Sequence, residues 1–377
     1  MHKRSLGVIA GLAAAALLLS GCGGDDDNGT DTGTTGGSTT GSSTTAGKVG
    51  VILPDAATSP RWEANDRPLL TAAFEAAGIE SDIQNAGGDT AKFATICDGM
   101  INENVGVLLI VNLDSDSGTA CLKKAQAAGV QTIDYDRLTL GGGASYYVSF
   151  DNVAVGALMG TGLTKCLTDA GKTTANIVFI DGKSTDNNAA LFKQGYADEL
   201  KPMIDAGTYK LVGEQDGQWD ATAAGTAFEQ LYTQNGGKID GVISANDTMA
   251  GGIIARLAAN GLNGKVPVTG QDASVAGLQA ILAGDQCMTV YKAIQKEADA
   301  ASKLAIALIT GDTAGAAALA TGSVPDTTLG KDVPSVLETP QAIYKDNIQD
   351  VIDDGFWKAS DICTGDYAAM CTAAGIQ

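Results

Sequence analysis

Short apolar runs in this chain end repeatedly in polar clusters whose side chains could do chemistry. After Thr132-Ile133 come Asp134-Tyr135-Asp136-Arg137, after Val148 come Ser149-Phe150-Asp151-Asn152, and after Ile177-Val178-Phe179-Ile180 a loop leads to Asp186-Asn187-Asn188. After Val242-Ile243 come Asn246-Asp247, after 266–270 come Gln271-Asp272, and after Met288-Thr289-Val290 come Tyr291-Lys292. Carboxylate, amide, guanidinium and ammonium groups together offer paired donors and acceptors, and hydrogen bonds to charged groups are the stronger kind. Such a set suits vicinal hydroxyl groups, each of which donates and accepts at once. Trp62 beside Arg61, Phe192 past the Asn188 loop, and Trp219 in Asp216-Gly217-Gln218-Trp219-Asp220 could cover the C–H face of a sugar ring.

Taken singly, these residues have plainer readings. Asp186, Asp247 and Asp272 suit helix caps, and Trp62 and Phe192 suit a satellite core. It is the recurrence of acids and amides with Arg137, Lys292 and Trp219 that points to a ligand. Asp134 and Asp136 alternate along a strand and face opposite ways, so they are not the paired carboxylates of a glycosidase. Asp136 could pair with Asp272, but beside Arg137 and Lys292 both acids should stay ionised, whereas a general acid needs a raised pKa. Gly141-Gly142-Gly143 precedes a strand instead of opening a helix, so it makes no phosphate cradle. The acidic stretch 25–31 lacks the glycine of a calcium loop at its required offset. The chain therefore reads as a binding protein with no catalytic residues, no cofactor and no metal.

The elements that must position these residues alternate. Strands are expected over 49–53, 105–111, 132–135, 175–180, 210–212, 241–243 and 266–269, and helices over 68–77, 90–101, 118–128, 154–170, 189–200, 221–234, 248–260 and 275–283. Strand–helix alternation calls for parallel sheets covered on both faces. In such sheets ligands bind outside the carboxyl ends of the strands, where the polar clusters lie. Roughly 330 residues beyond the N-terminal region suit two domains of ordinary size.

Met1-His2-Lys3-Arg4 and the apolar run 6–19 match a secretory signal rather than a spanning helix. The run ends Leu18-Leu19-Ser20-Gly21-Cys22, which resembles the lipobox of bacterial lipoproteins and implies cleavage before Cys22 with lipid on its sulfur. Residues 22–47, rich in Gly, Ser, Thr and Asp, cannot bury enough surface to order themselves and read as a flexible tether. The protein is thus expected outside the cytoplasm, lipid-anchored at the outer face of the cytoplasmic membrane, at the cell surface or in the periplasm. Losing residues 1–21 leaves 22 basic against 44 acidic residues, a net charge of 22 − 44 = −22, which disfavours nucleic acid as a partner. The single histidine, His2, goes with the signal and takes with it any imidazole chemistry. Six further cysteines in an oxidising compartment favour disulfides, and Cys97 with Cys121 and Cys363 with Cys371 are the expected pairs. Buried free thiols are the alternative.

Taken together, the segments 134–137, 149–152, 186–189, 244–247, 270–273 and 289–292 resemble those of type I periplasmic sugar-binding proteins of ABC transporters, the xylose-binding branch above all. The resemblance runs from about Val49 to at least Lys292. It implies two Rossmann-like α/β lobes with parallel sheets, joined by a three-crossover hinge, with a monosaccharide in the cleft and an ABC permease as partner. Carried over, the hydroxyl ligands are Asp136, Arg137, Asn188, Asn246, Asp272 and Lys292. Arg61 reaches in from the first lobe, Trp219 stacks on the ring, and Trp62 and Phe192 are second choices. Residues 48–154 plus 293–325 are expected in the first lobe and 155–292 plus 326–377 in the second, with crossings near 153–155, 291–294 and 324–328. D-xylose is the expected ligand, glucose or another aldose the next, and a monomer the expected state. A sugar-sensing module for a chemoreceptor or signalling partner is the alternative. Lys193 stands where the branch carries arginine, the Trp219 loop is worded differently, and the tail after Val324 is longer than the family's ending.

Overall fold

The computed structural model describes residues 47–377; the expected signal, Cys22 and nearly all of the tether lie outside the described residues. Twelve strands are present among them: β1 (Val49–Leu53), β2 (Ser81–Asn85), β3 (Val107–Ile110), β4 (Gln131–Tyr135), β5 (Tyr146–Phe150), β6 (Ala175–Asp181), β7 (Tyr209–Asp216), β8 (Gly241–Ser244), β9 (Thr289–Tyr291), β10 (Gly322–Asp326), β11 (Lys331–Glu338) and β12 (Gln341–Ile343). The first sheet runs β10-β11-β5-β4-β3-β1-β2, parallel throughout except for the β10–β11 hairpin. The second runs β7-β6-β8, all parallel, and single bridges Val242–Val268 and Gln271–Val290 extend it toward the antiparallel pair β9–β12.

β1 and β3 are short apolar runs buried along their whole length, as strands covered on both faces must be. β2, with sequence SDIQN, sits at the sheet edge, which explains why hydrophobicity does not announce it. Residues 266–269 make only an isolated bridge instead of the expected strand. Most helices after strands open on an acidic or amide cap: Asp89, Asp114, Asp151, Asp186, Asp220 and Asn246 each accept from a first-turn N–H. Capping and ligand geometry are not rivals, because the cap places its carboxylate or amide at the carboxyl edge of the sheet.

The chain passes between the lobes three times. After β5 the helix Asn152–Asp169 packs its Val155, Met159 and Leu163 into the second core, and after β9 the helix Ile294–Ile309 returns Ala298, Ala301 and Leu304 to the first. The third passage corrects the expected division: β11 pairs in parallel with β5, so residues 326–338 extend the first sheet and the chain crosses at Thr339-Pro340 instead of near 324–328. The alternating, partly polar wording of β11 hides a strand whose partner lies almost two hundred positions earlier.

Cys97 and Cys121 join the helices Thr90–Asn102 and Ser115–Ala127, with Cα atoms 5.9 Å apart, and Cys363 joins Cys371, 5.8 Å apart. Cys166 and Cys287, left unassigned by sequence, form a third bridge between the helix Asn152–Asp169 and the segment entering β9. It ties together the second-lobe ends of two crossings.

At the end of β4, Asp134 is wholly buried and accepts from the Thr139 N–H and hydroxyl, both at 2.7 Å, which shapes the loop following Asp136 and Arg137. Burial pushes its carboxyl up to about 7 against those two bonds. An unfolded aspartate ionises near 4, so over that interval the folded protein keeps a proton that the unfolded chain has released. Stability should therefore fall as pH climbs from about 4 to 7. Asp134→Asn should flatten that part of the slope in denaturant melts taken across pH; an unchanged slope would mean that Asp134 does not carry the proton.

Candidate functional site

The carboxyl ends of the two sheets face each other across a cleft with a cavity of about 30 Å³. Its wall includes all ten side chains singled out by sequence: Arg61, Trp62, Asp136, Arg137, Asn188, Phe192, Trp219, Asn246, Asp272 and Lys292. Thr58, Ser59, Asp186 and Gln271 complete it. Lys193 is not in the wall; it pairs with Asp181 at 3.4 Å and with Glu214 behind it.

Arg61 is the most heavily engaged cation. It is 2% exposed, precedes the single π-turn Trp62–Asp66, and lies 4.3 Å over the Trp62 ring. Its Nε and Nη2 grip Asp66 at 3.0 and 2.7 Å, Nη2 also reaches Glu297 at 2.6 Å, and Nη1 reaches Asp136 at 2.7 Å. Four of its five N–H groups are thus used. Burial disfavours the guanidinium charge, but Asp66, Glu297 and Asp136 outweigh it and hold the group cationic. Asp66 in turn accepts from the buried Tyr135 hydroxyl at 2.7 Å.

Asp136 sits one residue past β4 with φ +61°, a left-handed conformation that turns its carboxylate into the cleft. Besides Arg61, it accepts from Lys292 Nζ and Asn188 Nδ2, both at 3.2 Å. Burial opposes its charge, yet Lys292, Arg61 and Arg137 prevail and hold the carboxyl well below the usual carboxylate range. Glu297 shows the reverse balance. Burial pushes it up to about 8 even though Arg61 pulls it down, and its Oε1 has no partner.

Contacts between the lobes are few and polar. Asn188 Nδ2 donates to the Asp136 carbonyl at 2.9 Å, and Arg137 Nε pairs with Asp186 at 3.0 Å. Asn246 Nδ2 and the Thr248 hydroxyl both donate to the Thr58 carbonyl, at 3.2 and 3.3 Å. Asp186 therefore does three jobs: Oδ1 caps the helix Asn187–Asp205, while Oδ2 receives both Arg137 and the Trp219 indole N–H at 3.2 Å. Gln218 and Trp219 have φ near +58°, and a Cβ at Gly182 would run into the indole, so that glycine is what lets the ring lie in the wall.

On the same side Asp272 stands 3.8 Å from Lys292 and accepts from Gln271 Nε2. Asp247 does not line the cavity. It is buried behind it, accepting from Ser274, Gln286 and Thr289, and burial pushes it up to about 7. Sequence reasoning missed Thr58, Ser59, Gln271, Asp66 and Glu297 as parts of the site. Gln271 adjoins Asp272 and was within reach of the strand-end rule. Glu297 was not, because it lies inside a helix and meets Arg61 only through folding. Among the described residues no group of three or more His, Cys, Asp or Glu is placed to hold a metal ion.

Two α/β lobes, three crossings and a polar cavity at facing strand ends define a periplasmic binding protein of type I, a class that binds substrates and does not turn them over. Residues 49–313 match the model of the periplasmic binding protein domain, and the chain belongs to that family. It is 38% identical to the D-xylose-binding periplasmic protein of Escherichia coli K12 over 321 residues, spanning 84% of this chain and 92% of that one. It is 32% identical to the multiple sugar-binding periplasmic receptor ChvE of Rhizobium radiobacter over 338 residues, 84% of this chain and 92% of that one. Among solved structures, a carbohydrate transporter solute-binding protein of Chloroflexus aurantiacus in complex with D-glucose superposes with a TM-score of 0.74 at 29% identity, covering 83% of this chain and 97% of that one.

Removing the guanidinium would take from Asp66, Asp136 and Glu297 the cation that joins them, leaving Asp136 to Lys292 and Asn188 and Asp66 to the Tyr135 hydroxyl. Arg61→Met should therefore cost about 3–5 kcal/mol of unfolding free energy, seen as a lower denaturant midpoint. An unchanged midpoint would show that the network does not depend on that charge.

Proposed function

We propose that this protein captures a monosaccharide, D-xylose first and D-glucose or another aldose next, and delivers it to an ABC permease while anchored to the membrane through lipid on Cys22. The observation that carries this reading is the cavity wall itself, in which cations, carboxylates and amides from both lobes stand together with Trp219. Asp136, Asn188, Asn246, Asp272, Arg137 and Lys292 serve the hydroxyls, Arg61 offers its remaining N–H, and Trp219, with Phe192 edge-on at 6.2 Å, covers the ring's apolar face. The xylose-binding relative at 38% identity supports the pentose, and the glucose complex supports aldoses generally.

Closure follows from the geometry. Lobes held by a handful of hydrogen bonds across three backbone crossings can open at little cost, and a ligand that touches both walls shifts the balance toward the closed form. The first lobe comprises 48–154, 293–325 and the β10–β11 hairpin; the second comprises 155–292 and the tail from 339. The closed monomer presents one joint surface to a permease. A signalling receptor is the second reading, and the receptor name of the Rhizobium radiobacter relative speaks for it.

Calorimetry on protein from residue 48 onward, across pentoses and hexoses, should show one site that prefers D-xylose; silence toward every aldose would sink the reading. Asp272→Asn tolerates the φ of +98° and keeps the shape, so stability should change little while affinity drops by about 1.5–3 kcal/mol, the value of a hydrogen bond to a charged group. In cells, Cys22→Ser should move the protein from the membrane to the soluble fraction. Continued sedimentation with membranes would refute the anchor.

A further inference from the structure

The wall residues Asp272 and Lys292 are held from behind by a part of the chain that contributes nothing to the cavity. Asp272 and Ala273 have consecutive positive φ values, +98° and +46°, in a region that residues other than glycine rarely occupy. Such conformations persist only where the surroundings over-determine them. Three anchors come from within residues 247–290: Asp272 N–H donates to the Val290 carbonyl at 2.9 Å, Ala273 N–H to the Thr289 hydroxyl at 3.2 Å, and Ser274 N–H to Asp247 at 2.8 Å. The fourth is remote in sequence. Trp357 Nε1 donates to the carbonyl of Ala273, itself fully buried, at 2.8 Å.

The same segment grips Lys292 through its neighbour. Tyr291, 4% exposed, packs against Phe356 with ring centroids 5.2 Å apart and donates its hydroxyl to Asp354 at 2.5 Å. Phe356 meets Trp357 edge-on at 5.0 Å, so the two struts share one aromatic cluster. The tail is secured to the helix Val275–Ala283, which directly follows the strained loop. Ile348, Val351, Ile362 and Cys371 pack on Leu278, Ile281 and Leu282, Gln279 Nε2 donates to the Ile362 carbonyl at 2.9 Å, and the Cys363–Cys371 bridge closes the tail's last turn.

We infer that Trp357 is a positioning residue of the binding site: its indole N–H and the Asp354–Phe356 contact with Tyr291 hold Asp272 and Lys292 in their binding geometry. The inference rests on the sugar reading of that site. Without the brace the Asp272–Ala273 loop relaxes from its strained conformation, and a ligand must restore it from its own binding energy. The extended tail thereby acts on affinity without touching ligand.

The test compares the parent from residue 48 with Trp357→Phe, which keeps an aromatic six-membered ring and removes the indole N–H with its five-membered ring. D-xylose affinity by calorimetry should weaken roughly tenfold, the scale of one lost hydrogen bond, with the variant still melting cooperatively. In an Asp272→Asn background the same substitution should have under about a twofold effect, whereas in Asn188→Ala it should keep its full effect, since close couplings are non-additive and distant ones add. A purely structural role would give the same effect in both backgrounds and would overturn the proposal, as would parent-like affinity in Trp357→Phe. Should Trp357→Phe not fold, Asp354→Ala, at an exposed position, should still weaken binding severalfold, and parent-like affinity there would overturn the brace. Amide hydrogen exchange decides independently of the sugar: the Asp272 and Ala273 amides should lose protection in Trp357→Phe. If the parent binds no aldose, the sugar reading fails, while exchange still upholds or overturns the brace.

Discussion

A buried charge must be surrounded by its opposite, and the site is organised around that requirement at Arg61. Its guanidinium meets Asp66, Asp136 and Glu297 while wholly out of water. Each partner comes from a different part of the chain: the π-turn, the end of β4 and the helix after the second crossing. Desolvation of an ion costs several kcal/mol unless its geometry is satisfied, so these elements have little freedom to shift separately. Asp136 passes the constraint on, since the same carboxylate receives Lys292 at the crossing and Asn188 from the opposite lobe. Pocket, hinge and lobe contact therefore share one electrostatic frame.

The frame is rigid on the first lobe and light across the cleft. Within the first lobe the charges are paired and buried; between lobes a few hydrogen bonds meet at Asp136, Asp186 and Thr58. A receptor needs that asymmetry, because donors held in place lose little entropy on binding while a weakly held lobe contact can open. The second lobe reaches comparable order differently, through left-handed backbone at Trp219 and Asp272 fixed by neighbours such as Gly182 and Trp357.

Much of the fold was legible because parallel strands buried on both faces leave apolar runs, and because caps and turns punctuate them. β1, β4, β6 and β8 follow from that rule to within a residue, β3 and most helices between them to within two, while the helices Ser115–Ala127 and Asn187–Asp205 begin or end further out than expected. β2, β5 and β9 to β12 did not follow from it; β2 at the sheet edge and β11 within a hairpin keep polar residues that periodicity reads as loop. Assigning 326–338 to the wrong lobe followed directly, as only pairing with β5 decides where β11 belongs. Asp136, Arg137, Asn188, Asn246, Asp272 and Lys292 were legible from their position after strands, whereas Arg61 came only with the family resemblance and Thr58 and Ser59 carried no mark. The residues that hold them, Glu297 within a helix and Trp357 in the tail, carry no such local mark.

The sequence by itself determined the class of sheet, the strand ends and hence the ring of Asp, Asn, Arg and Lys, because strand burial and helix capping are local properties written in adjacent residues. Only the tertiary structure decided which carboxylates hold Arg61, how Asp186 is shared between Arg137 and Trp219, how Cys166 finds Cys287, and that the tail braces Asp272. The physical reason is that Coulomb and hydrogen-bond energies depend on distance in space, and the chain sets those distances only when distant segments pack.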